Sequence, residues 1–336
     1  MDQQRMKNRF ILLTIIWVVG LNCISDAPHE NPLDPENPNT SLTLKGQVLT
    51  RYPPYQGIPD VEVWVEPLHR FTRTDSAGEF MFNDLKSGSY TIIAQREGYD
   101  SDTIAITLVD HLVLEIYLDA LPRFQRVALT THRYGRYFPP EDLYFLLIDV
   151  WVSDRDGNSD IVKMEYAIAD LGFQDTLRLV EFPDAYTARF VVQRTPQDFQ
   201  LPSLHTLIGK AFTFQVEDQS GQRTTSPPYY LTRIVETLPV VVQPTGLQTI
   251  STAQDTILFQ WEAVYLPYPF MFRVEIYRLD FGVTTLVQRM AGIAADQTTV
   301  AYRNDLTPGD HFWVVYIVDE YGNTSRSREG AFRMVP

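Results

Sequence analysis

The sequence predicts an all-β chain: three consecutive antiparallel β-sandwich domains following a signal peptide and a disordered linker. Three observations predict this class. Short segments alternate apolar and polar side chains, the period of a pleated strand with one buried face. Gly, Asp, Asn and Pro punctuate those segments at short, regular spacing. Val, Ile and Thr are frequent, and 18 Tyr, 19 Phe and 5 Trp stand among the 336 residues, a mixture that suits strands better than helices. A hydrophobic fraction of 44% is enough to fill packed cores, and the length fits two or three domains.

The chain opens "MDQQRMKNRFILLTIIWVVGLNC". Arg5, Lys7 and Arg9 form a basic start, and Phe10 to Leu21 is apolar apart from Thr14 and Gly20. Such a run is short for a bilayer span and suits the apolar part of a signal peptide; a single-span anchor is the alternative. The segment resembles a bacterial lipoprotein signal, in which cleavage leaves a lipid-bearing cysteine at the new N-terminus. Cys23, the sole cysteine, sits at that place, with Gly20 and Asn22 where that family usually carries Leu and Gly or Ala. Residues 1–22 are then the signal peptide and Cys23 the lipidation site; a cysteine unrelated to processing is the other reading. Residues 23–41, rich in Pro and acids, bury too little to fold and read as a disordered tether. The resemblance implies a membrane partner through the lipid anchor and, with Ile24 after the cysteine, an outer-membrane destination in a Gram-negative envelope.

Residues 42–121 form the first unit. In "IPDVEVWVEP", Val61, Val63 and Val65 face one way; Phe80 and Phe82 alternate after a turn at Asp75–Gly78; "SGSYTIIAQREGY", "TIAITL" and "LVLEIYL" follow as strands. The order Gly46-x-Val48, "GIPDVEVWV", Thr74-Asp75, Gly78-x-Phe80-x-Phe82, Leu85, Gly88-x-Tyr90 and Gly98-Tyr99 resembles the carboxypeptidase regulatory-like domain. That resemblance implies a transthyretin-like β-sandwich used as a spacer or adhesion module. Gly78 and Gly88 are expected in turns with positive φ. Tyr90 is expected to bury its ring with its hydroxyl in water.

Residues 123–236 form the second unit, with strands in "YFLLIDVWVSDRDGNSDIVKMEYAI", "YTARFVVQ" and a hairpin turning at Gln219–Gly221. It resembles a bacterial immunoglobulin-like domain. Its sharpest local feature is Asp154-x-Asp156-Gly157-Asn158-x-Asp160. Oxygen ligands at alternate positions suit a calcium ion, so Asp154, Asp156, Asn158 and Asp160 are candidate metal ligands. The loop lacks the Gly and Glu positions of an EF-hand, and a solvated Asx/Gly turn is the competing reading. Residues 237–336 form the third unit. Trp261, the Leu306-x-Pro308-Gly309 turn, the strand Phe312 to Ile317, and Asp319, Gly322-Asn323 and Ser325 resemble the fibronectin type III pattern. The joint between these two units, "RIVETLP", is only a few residues long.

A formal charge of −14 disfavours nucleic acid and anionic lipid headgroups as partners; loss of residues 1–22 removes one acid and three bases and leaves −16. The six histidines show no HExxH spacing, and no GxSxG elbow, Walker A loop or GxGxxG fingerprint occurs. The expectation is a non-catalytic cell-envelope lipoprotein, a scaffold, adhesion or assembly module, with a protein or glycan partner and no cofactor beyond the calcium of the Asp154–Asp160 turn. An alternative is an accessory glycan- or peptide-binding lipoprotein of an uptake system, with "RYGRYF", "SPPYYL" and "YLPYPFMF" supplying its aromatic surface; an accessory to a hydrolase on another chain is a third.

Overall fold

The computed structural model describes residues 41–336. The expected signal peptide, Cys23 and the expected tether up to residue 40 lie outside the described residues. The described residues are all-β and divide into two compact units, 41–119 and Ala120–Pro336. Among the described residues no helix is long and apolar enough to cross a membrane.

The first unit carries β1 (Leu42–Thr50), β2 (Glu62–Glu66), β3 (Arg70–Arg73), β4 (Glu79–Leu85), β5 (Gly88–Gln95), β6 (Asp102–Leu108) and β7 (Leu112–Leu118). They build two sheets, β4-β1-β7 and β3-β2-β5-β6. Val61, Val63 and Val65 are fully buried between the sheets together with Phe80, Phe82 and Ile92. Trp64, on the outer face of β2, stacks on Phe71 at 4.8 Å. The pairing of β1 with β7 is parallel, Leu44 opposite Leu112 through Thr50 opposite Leu118. A sandwich can hold that parallel pair because the rest of the unit serves as the long connection it needs.

Two glycines matter here. A Cβ on Gly46 would stand 2.3 Å from the Phe80 ring and 2.5 Å from the Leu114 carbonyl oxygen, so the bare backbone is what lets the ring lie over β1. Gly78 has φ of 80°, and its carbonyl accepts from Val48 N–H at 2.8 Å. Gly88, by contrast, does not have positive φ; β5 starts at that residue, which is extended rather than turned. Tyr90 also differs from expectation: its ring is buried, but its hydroxyl donates to the Lys86 carbonyl at 2.9 Å.

The second unit contains two sandwich cores. The middle sandwich is built from β8 (Arg123–Tyr134), β9 (Leu143–Ser153), β10 (Ile161–Ile168), β11 (Phe173–Thr176), β12 (Arg178–Glu181), β13 (Thr187–Arg194), β14 (Ala211–Asp218), β15 (Arg223–Thr225) and β16 (Tyr229–Tyr230). The last is built from β17 (Val241–Gln243), β18 (Gln248–Ser251), β19 (Thr256–Trp261), β20 (Phe270–Asp280), β21 (Val283–Ala294), β22 (Thr299–Arg303), β23 (Gly309–Asp319), β24 (Thr324–Arg326) and β25 (Gly330–Val335). One core centres on Ile148, Tyr166, Phe212 and Phe214, the other on Phe259, Trp261, Phe272 and Trp313.

The two cores share one sheet. Its order runs β12-β13-β9-β8-β24-β23-β20-β21, with β25 paired to β23 and β18 paired to β25. The seam is a parallel pairing of β8 with β24: His132 opposite Thr324, Arg133 opposite Ser325, Tyr134 opposite Arg326. The joint adds to it. Ile234 is buried in the middle core and the next residue, Val235, in the last core. Consecutive side chains of an extended chain point to opposite sides, so one peptide pins both cores.

Candidate functional site

The same turn is used three times, and it frames the acidic site. At Asp75, Asp218 and Asp319 the chain runs Asp-x-x-Gly, the Asp N–H donates to the carbonyl four residues on, and the Asp side chain accepts hydrogen bonds from the turn. Asp75 Oδ1 accepts from Ala77 N–H and Glu79 N–H, both at 2.9 Å. Asp319 Oδ1 accepts from Tyr321 N–H at 2.9 Å and Asn323 N–H at 2.8 Å. Asp218 Oδ1 accepts from Gln222 N–H and from the Ser220 hydroxyl, both at 2.8 Å. Gly78, Gly221 and Gly322 follow at φ of 80°, 84° and 86°, which is why glycine recurs there. In the second unit the likeness extends further. Ser226 Oγ accepts from Phe214 N–H and Ser327 Oγ accepts from Val315 N–H, each at 3.0 Å. The spacing Asp-x2-Gly-[Gln/Asn]-x3-Ser at 218–226 and 319–327 is thus an internal repeat of the closing hairpin of each sandwich, a signal the strand pattern alone does not expose.

The second carboxylate oxygen distinguishes the three turns. Asp75 is exposed and its charge is hydrated. Asp319 is buried, and its Oδ2 accepts from Asn323 Nδ2 at 2.9 Å with Arg233 Nε 3.7 Å away. Asp218 is 1% exposed, and its Oδ2 is buried with no hydrogen-bond partner.

Asp218 lies beside the predicted ligand loop. The strand β9 delivers Asp154, a single 3-10 turn (Asn158–Asp160) follows, and β10 leaves it. Ile161 at the start of β10 pairs with Asp218 at the end of β14, so the loop and the repeated turn meet at one end of the sandwich. Gln219 N–H donates to the Asp160 carbonyl at 2.9 Å and reaches Asp160 Oδ1 at 3.3 Å. Asp156 N–H donates to Asp154 Oδ1 at 2.9 Å, and Ala120 N–H donates to Asp156 Oδ2 at 2.7 Å. Asp154 and Asp160 are both 2% exposed, and carboxylate oxygens of Asp156 and Asp160 lie within 4.8 Å of one another. Burial pushes the Asp154 carboxyl up to about 8; the Asp156 N–H opposes that rise, and the negative charges of Asp160, Asp156 and Asp218 add to it.

Of the four predicted ligands, the structure brings carboxylate oxygens of Asp156 and Asp160 within 4.8 Å of one another, and Asp154 lies close enough for their charges and that of Asp218 to act on it. Asn158 faces elsewhere: its Nδ2 donates to the Asp184 carbonyl and its N–H donates to the Ala185 carbonyl at 2.9 Å.

The aromatic runs divide between core and surface. From "RYGRYF", Tyr134 packs edge-on against Phe145 and Tyr316, whereas Phe138 is 89% exposed. From "SPPYYL", Tyr229 packs on the middle core and Tyr230 is exposed. From "YLPYPFMF", Tyr265 is 91% exposed, whereas Tyr268 stacks under the Arg233 guanidinium at 4.1 Å. Arg233 also lies over Tyr321 at 5.1 Å and pairs with Glu320 at 3.0 Å. The sequence reading did not single out Arg233, which ties the joint to the Asp319 turn. His69 and His205, both exposed, stand 2.7 Å from Glu66 and 3.0 Å from Glu236.

Residues 43–119 match the model of the carboxypeptidase regulatory-like domain. No curated protein matches the chain. Among solved structures the chain is similar to the major pilin subunit of Bacillus cereus, at 10% identity over 84% of this chain and 91% of that one, with a TM-score of 0.34. It is similar to the FN1–FN3 domains of chicken CNTN1, at 10% identity over 84% of this chain and 93% of that one, with a TM-score of 0.30. It is also similar to the fibronectin(III)-like modules of Clostridium thermocellum CbhA, at 13% identity over 64% of this chain and 93% of that one, with a TM-score of 0.29.

Proposed function

We propose that this chain is a non-catalytic lipoprotein of the cell envelope, carried on an outer membrane by lipid at Cys23 and acting as a scaffold, adhesion or assembly module. The observation that supports it most is the sheet shared by the middle and last sandwiches. Independent binding modules need only a linker between them. A continuous sheet with one residue buried in each core at the joint holds two surfaces at a fixed separation instead, which is what a scaffold supplies. The carboxypeptidase regulatory-like module at 43–119 carries no HxxE peptidase pattern beside it in the sequence. With a formal charge of −14 the chain suits a protein or glycan partner better than nucleic acid.

The test is intact mass on protein from the native membrane fraction, with Cys23→Ser as control. A mature N-terminus at Cys23 with acyl mass, absent in the variant, is expected. A cut elsewhere with no lipid overturns the anchored reading. The exposed side chains of Phe138, Tyr230 and Tyr265 favour a second reading, a glycan- or peptide-binding accessory of an uptake system. Glycan and peptide arrays with the wild-type chain and a Tyr265→Ala variant test it; blank arrays exclude it.

A further inference from the structure

The three copies of the Asp-x-x-Gly turn allow a comparison of like with like. Each places one carboxylate where its Oδ1 serves the turn, and each must do something with the remaining oxygen and the charge. Asp75 leaves them in water. Asp319 gives them to Asn323 and Arg233, a protein cation carried on the joint. Asp218 is as buried as Asp319, yet its Oδ2 has no partner, and no ion pair reaches it among the described residues. Asp154 repeats the problem at the same end of the sandwich: its Oδ2 is buried without a partner, and the charges that act on it are those of three more aspartates. A buried carboxyl oxygen with neither a hydrogen bond nor a counter-charge is costly in a folded protein. The Oδ2 atoms of Asp154 and Asp218 both stand so, beside Asp156 and Asp160, and a bound cation would satisfy the two together.

We propose that Asp154, Asp156, Asp160 and Asp218 bind a divalent metal ion of the calcium class at the end of the middle sandwich, in the place that Arg233 fills for Asp319 in the last one. The ligand chemistry selects the metal. All four side chains offer carboxylate oxygen, with no histidine or cysteine, which disfavours zinc and other borderline or soft ions. Calcium bonds to oxygens at about 2.3–2.6 Å, so two ligand oxygens on opposite sides of one ion stand roughly 5 Å apart; the Asp156 and Asp160 oxygens lie within 4.8 Å. Calcium also accepts irregular oxygen sets that magnesium, bound to a near-octahedral shell, does not. The proposal does not depend on lipid at Cys23 or on the scaffold reading.

The experiment uses the whole mature chain carrying Cys23→Ser, stripped with a chelator and titrated with calcium chloride alone. Isothermal titration is expected to show one site with a dissociation constant at or below about 1 mM, the range of extracellular calcium modules. At saturating calcium the unfolding midpoint of the Ala120–Pro336 unit is expected to rise by about 5–10 °C. Asp156→Asn and Asp218→Asn abolish the heat and the shift, whereas Asp75→Asn, in the same turn with an exposed charge, leaves both unchanged. Asp154→Asn separates a lost site from a lost fold: it keeps the Oδ1 acceptor for Asp156 N–H, so the calcium-free midpoint is expected to hold while the calcium response is removed. No heat and no shift at millimolar calcium overturns the proposal. So does a full response in Asp218→Asn, and so does an equal response to magnesium at the same concentration.

Discussion

Asn323 is the residue on which the seam between the two sandwiches can be tested. It is fully buried. Its Nδ2 donates to Asp319 Oδ2 at 2.9 Å, and its Oδ1 accepts from Thr131 N–H, on β8 of the middle sandwich, at 2.8 Å. Replacing it by alanine leaves the buried Thr131 N–H without an acceptor, a loss of about 1–3 kcal/mol, and removes a charge-assisted bond from Asp319 of about 1.5–3 kcal/mol. Arg233, 3.7 Å from Asp319 Oδ2, recovers part of the second loss by a small shift. The net expectation is roughly 3–5 kcal/mol, or about 10 °C in midpoint for a unit of this size. Urea unfolding of the full chain, followed by tryptophan fluorescence, measures it. Trp151 reports the middle sandwich, and Trp261 and Trp313 report the last. Asn323→Asp is the control: it preserves the shape and the Thr131 acceptor but sets a second carboxylate against Asp319, and is expected to cost at least as much. A cost below about 1 kcal/mol in both variants, well under the penalty for orphaned buried groups, would refute the reasoning.

Gly46→Ala places a methyl against the Phe80 ring and the Leu114 carbonyl; because one obstacle is backbone, a loss of about 2–3 kcal/mol is expected in chemical unfolding of the first unit. Tyr90→Phe deletes the bond to the Lys86 carbonyl and is expected to cost about 1 kcal/mol in the same assay. His132 is held down to about 4 by burial and, less, by Arg273. Its native pKa lies below the unfolded one, so its contribution is complete above about pH 6.5 and is lost as pH falls toward 4, at about 1.4 kcal/mol per pH unit. Between pH 7 and pH 4.5 the wild type is expected to lose about 2–3 kcal/mol more than His132→Phe, by urea titration at each pH; equal losses exclude His132 as the source.

What was legible in the sequence follows from how each strand is covered. β2, β4 and β19 bury one face only, so Val61–Val65, Phe80–Phe82 and Ile257–Trp261 print a clean alternation. β8 is half-covered on both faces because it joins two sandwiches, and "RFQRVALTTHRY" shows no period. β21 is an edge strand exposed over most of its length and is equally silent. The shared sheet was therefore invisible, and two sandwiches read as separate. The acidic loop was legible because Asp154, Asp156 and Asp160 are neighbours in sequence. Asp218 was not, since only the pairing of β10 with β14 brings it there. Asn158 fitted the alternate spacing, but the turn at 184–186 claims its side chain.

The parallel seam between β8 and β24 also bears on how such a chain can change over generations. A sandwich joined to its neighbour by a linker alone is a cassette: it can be duplicated, deleted or moved without harm to what remains. Cutting between residues 236 and 237 would instead bare a strand edge on each side, and bared edges seek other chains. The two closing hairpins share their Asp-Gly-Ser spacing, yet one has Arg233 beside its aspartate and the other does not. The seam thus makes residues 120–336 a couple, in which moving either sandwich alone would leave the other with an open edge.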